Sequence, residues 1–164
     1  MGTHKTSEAV PTIRRATRSD LPGILTLYAQ PELDAGDVLP LEQAEALFQR
    51  MASYPDYGVY VAELDGDLIG TFALLVMENL GHLGAPSGVV EDVAVAPSFQ
   101  GRGVGRTMMA HALEHCRLRG CYKVTLSSNL KRAAAHAFYE KLGFERHGYS
   151  FRINLAPGRS LLSS

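Results

Sequence analysis

The chain has 164 residues, 46% of them apolar, enough for one domain with its own core and no metal or disulfide staple. Sixteen basic residues against seventeen acidic ones leave a net charge of −1, which excludes the strong basic excess of a nucleic-acid or membrane-surface protein. The longest apolar run, Leu68 to Met77, is broken by Gly70 and Thr71 and falls short of the roughly 18 residues of a spanning helix. Met1 to Val10 lacks the apolar stretch of a signal peptide. A cytoplasmic protein whose two cysteines, Cys116 and Cys121, stay reduced is therefore expected.

Along the chain, residues 1–11 read as a disordered leader, 12–155 as one domain and 156–164 as a tail. Thr12 to Ala16 is a first strand. Ser19-Asp20 then precede Leu21, Ile24, Leu25, Leu27 and Tyr28, an N-cap signal followed by helical spacing, with Pro22 in the first turn. Past Pro31, Gly36 and Pro40, the spacing of Leu41, Ala44, Leu47, Phe48 and Met51 predicts a second helix. This region is the place for a lid that selects substrate. Tyr57 to Leu64 and Leu68 to Met77 flank Asp65-Gly66, a strong hairpin signal. After a Gly/Pro loop, Gly88 to Ala96 is a strand that Pro97 stops. From Gly103 to Arg119 the apolar positions Met109, Ala112, Leu113 and Cys116 form one stripe, with Val104 and Met108 beside it, and Gly120 closes the helix. Tyr122 to Ser127 is a strand, Lys131 to Leu142 a last helix, and Phe144 to Leu155 one long or two short strands. The sum is an α/β domain with a parallel strand-helix-strand unit in its middle.

Gln100-Gly101-Arg102-Gly103-Val104-Gly105-Arg106 joins that strand to that helix. A helix start carries unpaired amides and partial positive charge, and glycines let an anion approach the backbone, so the turn is a phosphate cradle. It is not a Walker loop, because no Gly-Lys-Ser/Thr follows. Nor is it a dinucleotide fingerprint, because Arg106 stands at the sixth position and no acidic residue ends the next strand.

The turn resembles the pyrophosphate motif of the GNAT superfamily of N-acetyltransferases, Gln/Arg-x-x-Gly-x-Gly/Ala after Val-x-Pro, with Gln100, Gly103, Gly105 and Val95-Ala96-Pro97 in place. A second signature, an aromatic pair late in the following helix, is matched by Phe138-Tyr139 before Gly143-Phe144. The resemblance implies a single-domain fold with a mixed sheet of six to seven strands, about four helices, and a central parallel pair splayed around acetyl-CoA. It implies that backbone of Val93, Ala94 and Val95 pairs with pantetheine. Gln100, Gly101, Arg102, Gly103, Val104, Gly105 and Arg106 would hold the pyrophosphate, and Asn129, Phe138 and Tyr139 the far wall. No metal is implied, and homodimers are common in such families.

Acetyl transfer to an amine needs a neutral amine, a stabilised oxyanion and a proton for the leaving thiolate. An alkyl ammonium is only about one part in a thousand neutral at pH 7, so Glu91 is the expected base or substrate-orienting carboxylate. Asp92 should face the other way by strand alternation. Tyr139 is the expected acid, and a backbone amide near Ala94 or Val95 would meet the oxyanion. His111 and His115, four apart, with Cys116 and Cys121 nearby, hint at zinc. Without paired Cys-x-x-Cys spacing, surface histidines and a core thiol explain them better. Glu91-Asp92-Val93 with Gly120 to Val124 resembles glucosamine-6-phosphate N-acetyltransferases, and Leu126 to Arg132 with Ala135 to Tyr139 resembles aminoalkylphosphonate N-acetyltransferases. Both relatives use small amines bearing a phosphorus-centred anion, which Lys131 and Arg132 could meet. A small-molecule amine is thus the expected acceptor; a protein N-terminus, a lysine, or a non-catalytic sensor of acyl-CoA are the alternatives.

Overall fold

The computed structural model describes residues 9–153 and 155, which fall in two compact units, Met1–Leu126 and Ser127–Ser164. The expected leader and tail lie, apart from residues 9–11, outside the described residues.

The first unit holds β1 (Thr12–Arg15), α1 (Leu21–Tyr28), α2 (Leu41–Met51), β2 (Tyr57–Leu64), β3 (Asp67–Met77), β4 (Ser87–Val95), α3 (Val104–Leu118) and β5 (Lys123–Leu126). Its sheet runs β1-β2-β3-β4-β5, antiparallel except for the parallel β4–β5 pair. Asp65 and Gly66 join β2 to β3 with φ of 52° and 85°, the left-handed pair that a two-residue hairpin turn needs. At the start of the unit, the Arg14 guanidinium binds both Asp20, at 2.7 and 2.8 Å, and Glu63, tying β1, the turn into α1 and β2 together.

Register assigns the two faces of the sheet. Val59 and Val61 of β2 pack with Leu21 and Ile24 of α1, and Tyr28, Phe48 and Met51 lie against that cluster. On the other face α3 buries Val104, Met108, Met109, Ala112 and Cys116, whereas Leu113 of the predicted stripe is only half-buried. Tyr60 and Phe72 stack there, ring centroids 5.2 Å apart, with His111 against Tyr60.

The second unit contains α4 (Ala133–Lys141). The expected fold class stands, a mixed sheet with four α-helices, but the sheet has five strands among the described residues, not six to seven. The missing strands are those read into Phe144 to Leu155. Tyr149, Phe151 and Ile153 alternate as a strand would, yet they are exposed and have no ladder partner. Alternation supplies two faces; only a neighbouring strand satisfies the backbone.

Candidate functional site

β4 and β5 pair from Ser87↔Lys123 to Val90↔Leu126, where β5 ends, while β4 runs on to Val95. Glu91 to Val95 therefore border β3 on one side and, among the described residues, have no strand on the other. Ala96 N–H bonds Ile69 O of β3 at 2.8 Å, so by strand alternation the N–H and C=O of Val95 point to the open side. That carbonyl is already taken: the side-chain amides of Gln30 and Gln100 donate to it at 3.2 and 3.1 Å. Of the three residues expected to offer backbone there, Val95 offers its N–H alone. Gln100, expected among the cofactor contacts, braces the strand end, and Gln30, just beyond α1, joins it with no local sequence signal.

Within β4 the alternation breaks. Thr71 pairs with Ala94 and Ala73 with Glu91, so two steps along β3 face three along β4. Asp92 absorbs the extra residue with φ 52°. The strict alternation that set Asp92 opposite Glu91 is thus interrupted at Asp92 itself; both residues are exposed, and Glu91 feels the Asp92 charge. Glu91 shares its row with Ala73 and Val59, which places it on the α1 face.

The glycine turn follows a short helical turn at Pro97–Phe99. Gly101 and Gly103 take φ of 74° and 85°, and neither has any atom near where a Cβ would stand. Gly103 caps α3 in the left-handed region, no side chain caps the helix, and its first backbone bond is Thr107 N–H to Gly103 O. The amides of Val104, Gly105 and Arg106 are thus uncapped, a donor set that fits a pyrophosphate. Arg102 lies over the Phe99 ring, 4.9 Å from its centroid.

Burial raises the carboxyl pKa of both acids, with the adjacent Asp92 charge adding to Glu91, and Asp34 to Asp92. Asp34 comes from the turn after α1, where its N–H bonds Tyr28 O at 3.0 Å. The phenols of Tyr28 and Tyr57 are likewise pushed up by burial and then by these carboxylates. Asp34, Tyr28 and Tyr57 were missed in the sequence because each lies on a different element and only the sheet register gathers them.

In the second unit, Asn129 organises the entry to α4. Its side-chain oxygen accepts from Lys131 N–H at 2.9 Å, and its carbonyl accepts from Arg132 N–H at 3.0 Å and lies 2.9 Å from His136 Nε2. Phe138 and Tyr139 are both half-buried, ring centroids 5.1 Å apart, and Phe144 meets Tyr139 edge-on at 5.8 Å. Burial raises the Tyr139 phenol, partly offset by Arg132.

The histidines and cysteines that hinted at zinc have other neighbours. His115 Nε2 lies 3.2 Å from Asp56 Oδ1, whose other oxygen meets Arg119 Nε at 2.6 Å. Burial pushes the Cys116 thiol up to about 12, and His82 stacks on Tyr122 at 4.1 Å. Among the described residues no helix is long and apolar enough to cross a membrane.

The model of the acetyltransferase (GNAT) family matches residues 22–144. Glucosamine 6-phosphate N-acetyltransferase of Trypanosoma brucei brucei is 36% identical over 97 residues, 59% of this chain and 64% of that protein, so the match spans less than two thirds of that relative. Aminoglycoside N(6')-acetyltransferase type 1 of Stenotrophomonas maltophilia is 31% identical over 153 residues, 91% of this chain and 97% of that one. Aminoalkylphosphonate N-acetyltransferase of Salmonella typhimurium is 29% identical over 97 residues, covering 59% and 62% of the two chains. A putative acetyltransferase from Agrobacterium tumefaciens str. C58 superposes with a TM-score of 0.82 at 35% identity, covering 87% of this chain and 99% of that one. With its open β4 edge leading into an uncapped helix start, and a family match across most of its length, the chain belongs to the GNAT family of acetyltransferases.

Proposed function

We propose that the protein transfers the acetyl group of acetyl-CoA to a primary amine of a small molecule, by direct attack within a ternary complex. The observation that carries this reading is the five-residue run of β4 beyond its last β5 pair, leading into the uncapped α3. Acetyl-CoA supplies an activated acyl group. The edge backbone of Val93 suits the amides of its pantetheine arm, which leaves the Val95 N–H for the acetyl oxygen, and Gly101 to Arg106 suit its pyrophosphate.

The balance is simple. A C–N bond forms, the C–S bond breaks, and of the three ammonium protons one stays on the amide, one ends on sulfur and one leaves to solvent. Glu91 takes a proton from the amine, directly or through a water; its raised pKa makes it a better base than an ordinary glutamate. The Val95 N–H, turned to the open side, meets the developing oxyanion. The Tyr139 phenol gives its proton to the thiolate, and Asn129 and Phe138 belong with it to the acyl-donor wall.

Thiol release from acetyl-CoA across a panel of amines tests the reading. Tyr139→Phe should lower kcat on the order of 10²-fold with CoA affinity nearly intact. Unchanged turnover would remove Tyr139 from the mechanism. Tight CoA binding with no turnover on any acceptor would make the protein a sensor.

A further inference from the structure

Three segments of the first unit meet at the carbonyl of Val95, the last residue of β4. It accepts the Gln30 side-chain amide at 3.2 Å and the Gln100 amide at 3.1 Å, which fills both of its lone pairs. Each amide has a second partner: Gln30 donates to Leu27 O, near the end of α1, at 2.9 Å, and Gln100 Nε2 lies 3.4 Å from Gln30 Oε1. Gln30 is half-buried and Gln100 exposed, so the first is set by the fold while the second answers to what binds beside it.

Through its main chain Gln30 also carries the turn that follows α1. Leu33 N–H and Ala35 N–H donate to Gln30 O at 3.0 and 3.2 Å, Gly36 N–H to Ala29 O at 2.9 Å, and Asp34 N–H to Tyr28 O at 3.0 Å. The turn thus hangs from the carbonyls of three consecutive residues, in the region where a substrate-selecting lid is expected. On the other side, Gln100 directly precedes Gly101, the first glycine of the phosphate turn, whose φ is 74° with open space around it. A continuous hydrogen-bonded route therefore runs from the glycine turn to the turn after α1, by way of Gln100, Val95 O and Gln30.

We infer that Gln30 is a positioning residue that couples the donor and acceptor halves of the site: a pyrophosphate on the glycine turn fixes Gln100, and Gln100 with Val95 O fixes Gln30 and the turn it carries. This rests on the transferase reading above and adds to it the means by which acetyl-CoA orders the acceptor side. Such coupling is reciprocal, so an ordered turn after α1 in its turn favours the CoA-bound glycine turn. A side chain of the same length without N–H donors cannot serve, since Leu27 O and Val95 O would each lose a partner.

The test is hydrogen exchange on the full chain, with and without saturating CoA, read at the amides of Leu33 to Asp37, which the turn holds in hydrogen bonds. CoA should slow their exchange about fivefold or more in the wild type. Two variants break the route: Gln30→Met keeps the length and loses both donors, and Gln100→Ala removes an exposed side chain. In each the slowing should fall below about twofold, while CoA still protects Val104 to Arg106. Because both cut one route, the double variant should lose no more than either alone. A turn that exchanges faster in Gln30→Met, yet is still slowed by CoA as in the wild type, would make Gln30 a structural brace only. Retained slowing in Gln100→Ala would mean that CoA reaches the turn by another path. Either result, or a wild type in which CoA protects α3 but not the turn, overturns the coupling and leaves the transferase reading standing. Protection of neither segment overturns the coupling and the donor site together.

Discussion

Asp92 pairs an unusual backbone with an unusual charge: its φ is 52°, and burial together with Asp34 holds its carboxyl above the ordinary aspartate range. A carboxyl raised in the native state binds more protons there than in the unfolded chain. Its contribution to stability is fully present below the unfolded value and lost as pH rises through the folded one. At neutral pH the ionised Asp92 thus works against folding. Asp92→Asn, which keeps a residue tolerant of left-handed backbone, should raise Tm at pH 7 by about 1–2 °C, with the gain shrinking toward pH 4. Thermal unfolding of both proteins across that range checks it; a gain of equal size at both ends would show that backbone preference, not titration, is responsible. The same sign applies to Glu91, so Glu91→Gln should lose rate most near neutral pH, where the carboxylate is ionised and the amine is still protonated. A rate loss independent of pH would leave Glu91 an orienting role only.

At the scale of elements, α3 owes its close seat on the sheet to two strand glycines. A Cβ on Gly70 would stand 2.8 Å from Met108 Sδ, which a flexible side chain can yield, whereas one on Gly88 would run into Cys116 Sγ, on a short side chain fixed by the helix backbone. Gly88→Ala should accordingly cost about 1–3 kcal/mol in urea unfolding. In the Cys116→Ala background the cost should fall well below that, because the colliding atom is gone; an undiminished cost would place the strain elsewhere. Such contacts explain which elements were legible in the sequence. The hairpin at Asp65-Gly66, the glycine turn and the buried stripe of α3 are local patterns, set by backbone sterics and helical period. The β4 bulge was not legible, because an extra residue exists only relative to the register of β3. Nor was the gathering of Tyr28, Asp34, Tyr57, Glu91 and Asp92, which come from α1, the turn after it, β2 and β4.

For the whole molecule, the carboxylates divide by role. Asp20, Glu45 and Glu114 are paired with arginines that lower their pKa, while Glu91 and Asp92, on β4 beyond its last β5 pair, are raised. The first group supports the fold above the ordinary carboxylate range; the second opposes it there, and a bound cation would reverse that opposition. The proposed donor site is different in kind, its pyrophosphate cradle and strand edge being backbone amides that do not titrate, so its occupancy should stabilise the protein across the neutral range. Ligand at about 100 times its Kd adds about 2.7 kcal/mol, or roughly 5–10 °C in Tm. Hydrogen exchange can divide this gain between its two backbone sources. CoA should protect both the open β4 edge at Val93 and the first turn of α3 at Val104 to Arg106, while pantetheine, lacking the pyrophosphate, should protect the β4 edge alone. Protection at α3 by pantetheine, or at neither place by CoA, would mean that the glycine turn is not the pyrophosphate cradle and that its left-handed glycines serve only to start the helix.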